Sequence, residues 1–194
     1  FLNDQQNESP LLMVGFNKQS MSNKYRGMTI AEAAILRNES PEEAIVNLII
    51  EDGSRIQCIY FSMSEENVRK KIKLPWVAFD SDAGSYSDIS KDFITHPRAF
   101  GSFARVLGKY VRDEKLISME EAIRRLTGFP ADNLGIKNRG YLKPGFFADI
   151  VVFDPKLIED KATFEEPLQF AVGVEDVFVN GIQVLSKSNH TGKF

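Results

Sequence analysis

The sequence contains very little cysteine and no long hydrophobic run. Cys58 is the single cysteine among 194 residues, so no disulfide can form within the chain and a secreted disulfide scaffold is excluded. We expect a cytoplasmic protein, with the bacterial periplasm as the alternative. The apolar stretch from Ile45 to Ile50 is interrupted by Asn47 and falls far short of the roughly 20 residues of a membrane helix. We therefore expect no membrane-spanning segment.

Clusters of positive charge are also missing. The 24 lysines and arginines are spread among 27 acidic residues, which gives a net charge of −3. This pattern argues against a nucleic-acid partner and favours a small molecule. Hydrophobic residues make up 43% of the chain, enough to form a core. Because the first residue is Phe1 and not methionine, we expect that a signal was removed or that this is an internal piece of a longer protein.

The first two thirds of the chain alternate helix and strand patterns, whereas the end has β patterns only. Residues 1–27 are polar and irregular, apart from an apolar patch at 11–16. Capping residues followed by apolar residues at helical spacing indicate helices. Runs of β-branched and aromatic residues indicate strands. Predicted helices cover residues 28–38, 40–51, 64–71, 98–113 and 119–126, and predicted strands cover 55–62, 76–80, 150–153, 174–179 and 182–185. The Asn180-Gly181 pair predicts a hairpin, and Phe100 and Phe103 are expected in the core.

A candidate site directly follows the second predicted strand. Asp80, Ser81 and Asp82 stand there, and polar residues at the C-terminal ends of barrel strands face the active site. Acidic residues are also common in ordinary turns, so this pattern alone leaves both interpretations open. Arg98 begins the next predicted helix, where it either binds a substrate carboxylate through two parallel hydrogen bonds or lies on a solvated face. A lone loop histidine such as His96 is more often structural than a base or ligand.

Several longer segments form a more specific pattern. They are His96-Pro-Arg-Ala-Phe-Gly-Ser-Phe-Ala-Arg-Val-Leu-Gly108, Gly145-Phe-Phe-Ala-Asp-Ile-Val-Val-Phe-Asp154, Ala162-Thr-Phe-Glu165 and Val179-Asn-Gly181. The second segment resembles the amidohydrolase superfamily in general. The His-Pro-Arg and Ala-Thr-Phe-Glu segments resemble its N-acyl-D-amino-acid deacylase (D-aminoacylase) branch. The resemblance covers residues 55–192 well and residues 1–54 loosely.

This resemblance implies an α/β fold, the C-terminal portion of a (β/α)8 metal-dependent hydrolase barrel with strands of a small β-sandwich. Residues 1–62 would be a lid-like insertion over the active site, residues 63–139 the last barrel strand and helices, and residues 140–194 the sandwich strands. The implied reaction is zinc-dependent hydrolysis of N-acyl-D-amino acids to a D-amino acid and a carboxylic acid. The implied partners are this small-molecule substrate and the N-terminal part of the same enzyme.

The resemblance also implies roles for four residues. Asp82 matches an aspartate that binds the metal and acts as general acid and base, taking a proton from zinc-bound water and passing it to the leaving amine. Ala83 stands where glycine is usual, and the segment before the His-Pro-Arg motif is longer than expected. Arg98, matched by motif, would bind the α-carboxylate of the substrate. Tyr60 and Met63 would line the substrate pocket, although each pattern alone also fits core packing.

The family's other metal ligands, a His-x-His pair, a bridging residue and two later histidines, have no counterpart here. With His96 and His190 as its only histidines, the chain cannot close a metal site, since three or four protein ligands are normally needed. We expect that this chain alone binds zinc weakly or not at all and is inactive. Two alternatives stay open: a non-catalytic packing or association module, and a cyclic-amide hydrolase of the dihydroorotase or hydantoinase type. Arg98 and the Ala-Thr-Phe-Glu segment argue against the cyclic amide.

Overall fold

A computed structural model describes residues 11–84 and 95–193, which form two compact units. The first unit contains the described residues up to Ser64 together with Thr95, and the second contains the others from Glu65 onward. The three-part organisation expected from the sequence stays a prediction about the whole enzyme. Within the described residues, no helix is both long and apolar enough to cross a membrane.

In its described part, the first unit is a two-stranded antiparallel sheet with three helices between the strands. Its elements are β1 (Leu11–Gly15), α1 (Gln19–Tyr25), α2 (Ile30–Arg37), α3 (Pro41–Asp52) and β2 (Gln57–Tyr60). Met13 on β1 lies opposite Cys58 on β2. Met13 is completely buried and packs with Tyr25 and Leu48, whereas Cys58 is only partly buried at the side of this core.

The helices α2 and α3 begin where their capping signals predict. The Thr29 hydroxyl accepts a hydrogen bond from the amide of Glu32, and the Glu32 carboxylate accepts one from the amide of Thr29. Ser40 and Glu43 form the same reciprocal arrangement at the start of α3. These bonds satisfy N–H groups that have no partner within the helix. Gly53 ends α3 with a φ of 74°, as predicted for a glycine that stops a helix.

Helix α1 lies in a segment predicted to be irregular. Its sequence is polar, and Lys18 before it provides no side-chain cap. The completely buried carboxylate of Asp52 holds the start of this helix. It accepts hydrogen bonds from the amides of Asn17 and Lys18, both at 2.9 Å, and from the Ser54 hydroxyl at 2.7 Å. A partner more than thirty residues away in sequence therefore stabilises α1, and no local pattern reveals it.

The second unit combines helices with a four-stranded antiparallel sheet in its described part. Its elements are α4 (Glu65–Ile72), α5 (Arg98–Arg105), a π-helix (Val106–Asp113), α6 (Met119–Leu126), α7 (Gly128–Asn133), β3 (Ile150–Phe153), β4 (Val174–Val179), β5 (Ile182–Ser186) and β6 (Asn189–His190). The strand order is β3-β4-β5-β6. The predicted hairpin is confirmed, because Asn180 and Gly181 between β4 and β5 have φ values of 52° and 80°.

The helix predicted for residues 98–113 is continuous, but its second half is π-helical. The Glu114 amide donates to the Lys109 carbonyl at 2.9 Å, a spacing of five residues. Gly108 lies against the backbone of the loop after β3, since a Cβ there would be 2.5 Å from the Ile158 carbonyl oxygen. Ile158 is 1% exposed and packs with Leu107 in the core. Glycine at this position therefore permits the close approach of helix and loop.

One local prediction about this unit is wrong, and another stays a prediction. Residues 76–80 have no strand partner among the described residues, so their predicted role as a barrel strand concerns the whole enzyme. Phe103 was expected in the core but is 50% exposed. Phe100 is partly buried and makes an edge-to-face contact with Phe170, their ring centroids 5.7 Å apart.

Asp52 makes the stability of the first unit depend on pH. Burial alone would raise the pKa of Asp52, but hydrogen bonds from Lys18, Asn17 and Ser54 outweigh burial and hold the pKa below its ordinary value. A carboxyl group with a lowered pKa in the folded state stabilises it fully above the unfolded pKa of about 3.9, and this contribution is lost as the pH falls further. We therefore expect the urea midpoint, followed by circular dichroism, to decrease below about pH 4.

The substitution Asp52→Asn should weaken that pH dependence. It should also lower the free energy of unfolding by about 1 to 3 kcal/mol at neutral pH, since an amide offers one acceptor oxygen to a site with three donors. Glu42→Gln is the matched control, because Glu42 is an exposed carboxylate on the same helix. This substitution should change the free energy of unfolding by less than about 0.5 kcal/mol. An unchanged pH dependence in Asp52→Asn would contradict the role of this carboxylate.

Candidate active site

Two of the predicted site residues are in direct contact in the second unit. Asp82 lies in the turn after residues 76–80, and Arg98 is the first residue of α5. The Oδ2 atom of Asp82 is 2.9 Å from the Nη2 atom of Arg98. The two side chains are 81% and 44% exposed, respectively. An ion pair this open to solvent contributes at most about 1 kcal/mol to stability, so a ligand can separate the two groups at little cost.

The backbone of Asp82 adopts a left-handed conformation, with a φ of 46°. Few residues other than glycine do so, and aspartate is one of those that tolerate it. In the preceding residues, the Ser81 amide donates to the Asp80 carboxylate at 2.7 Å. Ala83 does not have a positive φ. The turn therefore does not require glycine after the aspartate, and Ala83 is compatible with it.

His96 orients the start of helix α5. Its Nδ1 atom accepts a hydrogen bond from the backbone amide of Arg98 at 3.0 Å, an amide that has no partner within the helix. Nδ1 must therefore be unprotonated. Burial and the positive charge of Arg98 lower the pKa of His96, against an opposing effect of Asp82. The neutral ring acts here as a helix cap, in agreement with the structural interpretation of this histidine.

The segments that define the family resemblance meet at this histidine. The His96 ring contacts the ring of Phe164 edge to face, with centroids 5.1 Å apart. His96 belongs to the His-Pro-Arg segment and Phe164 to the Ala-Thr-Phe-Glu segment, which are more than sixty residues apart in the sequence. Both segments therefore help to position the beginning of α5, and with it Arg98.

Tyr60 and Met63 belong to the first unit. Tyr60 is the last residue of β2, and Met63 follows three residues later. They are 67% and 59% exposed, respectively. Core packing within the described chain is thereby excluded for both residues. Their predicted contact with substrate stays a prediction.

The described residues do not fit a metal centre by themselves. No group of three or more histidine, cysteine, aspartate or glutamate side chains is arranged to hold a metal ion among residues 11–84 and 95–193. A zinc site normally uses three or four protein ligands. Asp82 can supply one of them, and the others would have to come from outside the described residues.

Comparisons with known proteins identify the family of this chain. A sequence profile described as "Amidohydrolase family" matches residues 21–185. The chain belongs to the amidohydrolase family. The D-aminoacylase of Alcaligenes xylosoxydans xylosoxydans is 36% identical to it over 167 residues, which are 86% of this chain and 32% of that protein. A shorter match, 36% identical over 77 residues, links the chain to the dihydroorotase of Lactobacillus acidophilus and covers 40% of this chain and 17% of that enzyme.

Solved structures of amidohydrolases share this fold. A D-aminoacylase crystal structure superimposes with a TM-score of 0.82 and 33% identity, covering 94% of this chain and 36% of that one. The N-acyl-D-glutamate deacylase of Bordetella bronchiseptica, complexed with zinc and a phosphonate mimic of the tetrahedral intermediate, gives a TM-score of 0.78 and 32% identity, with the same coverage. The predicted fold class, part of an amidohydrolase α/β barrel enzyme, is confirmed. This chain spans about a third of the length of these relatives.

The scarcity of ligands predicts weak metal binding by this chain. After dialysis, we expect the isolated chain to contain far less than one zinc ion per molecule by emission spectrometry, because one carboxylate cannot replace three or four ligands. The Asp82→Asn chain is the control and should contain the same small amount. A tightly bound, stoichiometric zinc ion in the unmodified chain would contradict this expectation.

Proposed function

We propose that the full-length enzyme containing this chain hydrolyses N-acyl-D-amino acids to a D-amino acid and a carboxylic acid. In this proposal Asp82 transfers the proton and Arg98 binds the α-carboxylate of the substrate. Tyr60 and Met63, both exposed, contribute to the substrate pocket. Asp82 also serves as one metal ligand, together with ligands from the remainder of the enzyme. The D-aminoacylase and N-acyl-D-glutamate deacylase relatives support this choice of substrate class.

The observation that carries the proposal is the contact between Asp82 and Arg98. In an N-acyl amino acid, the amide nitrogen and the carboxylate carbon are bonded to the same Cα and lie about 2.5 Å apart. A group that protonates this nitrogen and a group that binds this carboxylate must therefore be close neighbours. The 2.9 Å distance between Asp82 and Arg98 meets that requirement.

The proposed reaction uses the Asp82 carboxylate twice. It first accepts a proton from the water molecule whose oxygen attacks the amide carbonyl carbon. As the C–N bond breaks, the protonated carboxyl group returns that proton to the departing nitrogen, so that a carboxylic acid and an amine leave. A carboxylate that starts 81% exposed is able to exchange its ion-pair partner for the reacting groups.

Arg98 has the shape that carboxylate recognition demands. Its guanidinium is planar and presents parallel donors that match the two oxygens of a carboxylate. The side chain lies at the first turn of α5, and the His96 cap defines the position of that turn. When substrate binds, its carboxylate replaces that of Asp82 on the guanidinium. The same exchange of ionic partners then binds the substrate to Arg98 and frees the Asp82 carboxylate for proton transfer.

A cyclic-amide hydrolase remains the second candidate, because the matches to dihydroorotases cover part of this chain. A non-catalytic association module is the third. Turnover of N-acetyl-D-amino acids by the full-length enzyme, with no opening of dihydroorotate or hydantoins, would support the first. The cytoplasmic compartment and a requirement for the N-terminal part of the enzyme belong to this proposal as well.

The substitution Asp82→Asn tests the proton-transfer role. It keeps the size of the side chain, and asparagine also tolerates a positive φ, so the fold should be preserved. We expect kcat for N-acetyl-D-amino acids to fall at least about 100-fold in the full-length enzyme, because the amide cannot accept the proton. Thermal melting serves as the control for folding. Turnover at the unmodified rate would disprove the role of Asp82.

Substitutions of Arg98 test carboxylate binding. We expect Arg98→Ala to raise KM roughly 10- to 100-fold, because the substrate carboxylate loses a charged hydrogen-bonding partner. Arg98→Lys retains the charge without the paired donors and should raise KM less. For a substrate whose α-carboxylate is replaced by a carboxamide, Arg98→Ala should leave KM nearly unchanged. An unchanged KM in Arg98→Lys would contradict binding by two parallel bonds, and an unchanged KM in Arg98→Ala would contradict carboxylate binding by this residue.

A further inference from the structure

Arg125 is a completely buried arginine, with no exposed side-chain surface. It lies on α6, three residues after the equally buried Ala122, so both face the interior. Its Nε atom donates to the Val77 carbonyl at 2.5 Å, and its Nη1 atom donates to the Ile72 carbonyl at 2.6 Å. The guanidinium also lies 4.4 Å from the centre of the Phe79 ring. All of these contacts are with one segment, residues 72–79.

Burying a charge at this depth is unfavourable unless ion pairs and hydrogen bonds compensate for the lost hydration. No carboxylate among the described residues forms an ion pair with Arg125, and its Nη2 atom has no hydrogen-bond partner there. The neighbouring Glu121 is paired with Arg124 instead. The hydrogen bonds and the ring contact of the Arg125 side chain are therefore all with this segment. Leucine or methionine would fill the space without the cost of burying a charge.

The segment held by Arg125 leads directly into the site turn. Within the described chain residues 76–80 have no strand partner, and α6 contacts them through the Arg125 side chain. The Arg124 side chain adds an outer contact, donating to the Pro75 carbonyl at 3.0 Å. Asp82 follows Phe79 by three residues. The position of its carboxylate thus depends on how firmly this segment is held.

We propose that Arg125 is a positioning residue, which holds residues 72–79 by their carbonyl groups and so sets the location of the Asp82 carboxylate for proton transfer. This inference rests on the proposed function of Asp82. Arg125 does not touch the substrate. It acts on the chemical step only through the backbone that carries Asp82, whereas Arg98 is held separately on α5.

The test compares variants of the full-length enzyme. Arg125→Met should lower kcat for an N-acetyl-D-amino acid by up to about 100-fold, the loss that a misplacement of about 1 Å can cause. KM should not rise, because α5 still holds Arg98, and loss of the exposed ion pair with Asp82 should lower KM by at most about fivefold. Arg125→Lys should recover part of kcat, since an ammonium group still donates to one of the two carbonyls. If Arg125→Met fails to fold, the same split between kcat and KM is required of Arg125→Lys.

Arg112 offers a matched control. It also donates to two backbone carbonyls, those of Lys156 at 3.2 Å and Ile158 at 2.7 Å, but this loop does not lead into the site turn. Arg112→Met should lower the melting temperature while leaving kcat of the folded enzyme within about twofold of the unmodified value. Equal losses of kcat in Arg112→Met and Arg125→Met, or a rise in KM as large as the fall in kcat, would overturn the positioning role.

Hydrogen exchange separates this inference from the proposed function. Amides of residues 77–82 should exchange faster in Arg125→Met than in the unmodified enzyme, while Arg112→Met should affect residues 156–160 instead. If the unmodified enzyme released no D-amino acid, the proposed function would fail and exchange alone would decide whether Arg125 holds the segment. Unchanged exchange at residues 77–82 in Arg125→Met would show that the Arg125 side chain does not hold this segment in place.

Discussion

The buried guanidinium of Arg125 is the interaction on which the candidate site depends. Removing a charge from water costs several kcal/mol even after the surrounding protein relaxes. Two carbonyl groups, those of Val77 and Ile72, and the face of the Phe79 ring offset part of that cost. Because these partners belong to one irregular segment, the favourable energy is available only when that segment is in place. The charge thereby links the helix α6 to the path of the chain toward Asp82.

The first unit uses the opposite charge in the same way. Asp52 is as fully buried as Arg125 and accepts hydrogen bonds from two consecutive backbone amides. Backbone groups outside helices and sheets need partners when they are buried. A carboxylate satisfies several N–H groups at once, and a guanidinium satisfies several carbonyl groups. In its described part, each unit therefore contains one completely buried ionic side chain that holds an irregular part of the backbone. The charge is negative where amides need a partner and positive where carbonyl groups need one.

Features that depend on near neighbours in the chain were predictable from the sequence. The caps at Thr29 and Ser40 and the turn at Asn180 involve residues within a few positions, and all are present. Helix α1 depends on Asp52, more than thirty residues away in sequence, so local patterns misjudged it. Arg125 had one local signal, its spacing of three from Ala122 on the buried face, but an arginine at such a position is normally assigned to the surface. The approach of Asp82 to Arg98 could be inferred only through the family resemblance.

In the proposed reaction, the two groups that meet the substrate are positioned by independent backbone anchors. Arg125 holds the segment before Asp82, and His96, packed against Phe164, caps the helix that begins with Arg98. The substrate links these groups rigidly, because its amide nitrogen and its carboxylate share one carbon atom. An error in either anchor therefore changes the distance that the substrate must span, even when both side chains are intact. Specificity for an α-carboxylate and efficiency of proton transfer then depend on residues that contact neither the carboxylate nor the amide.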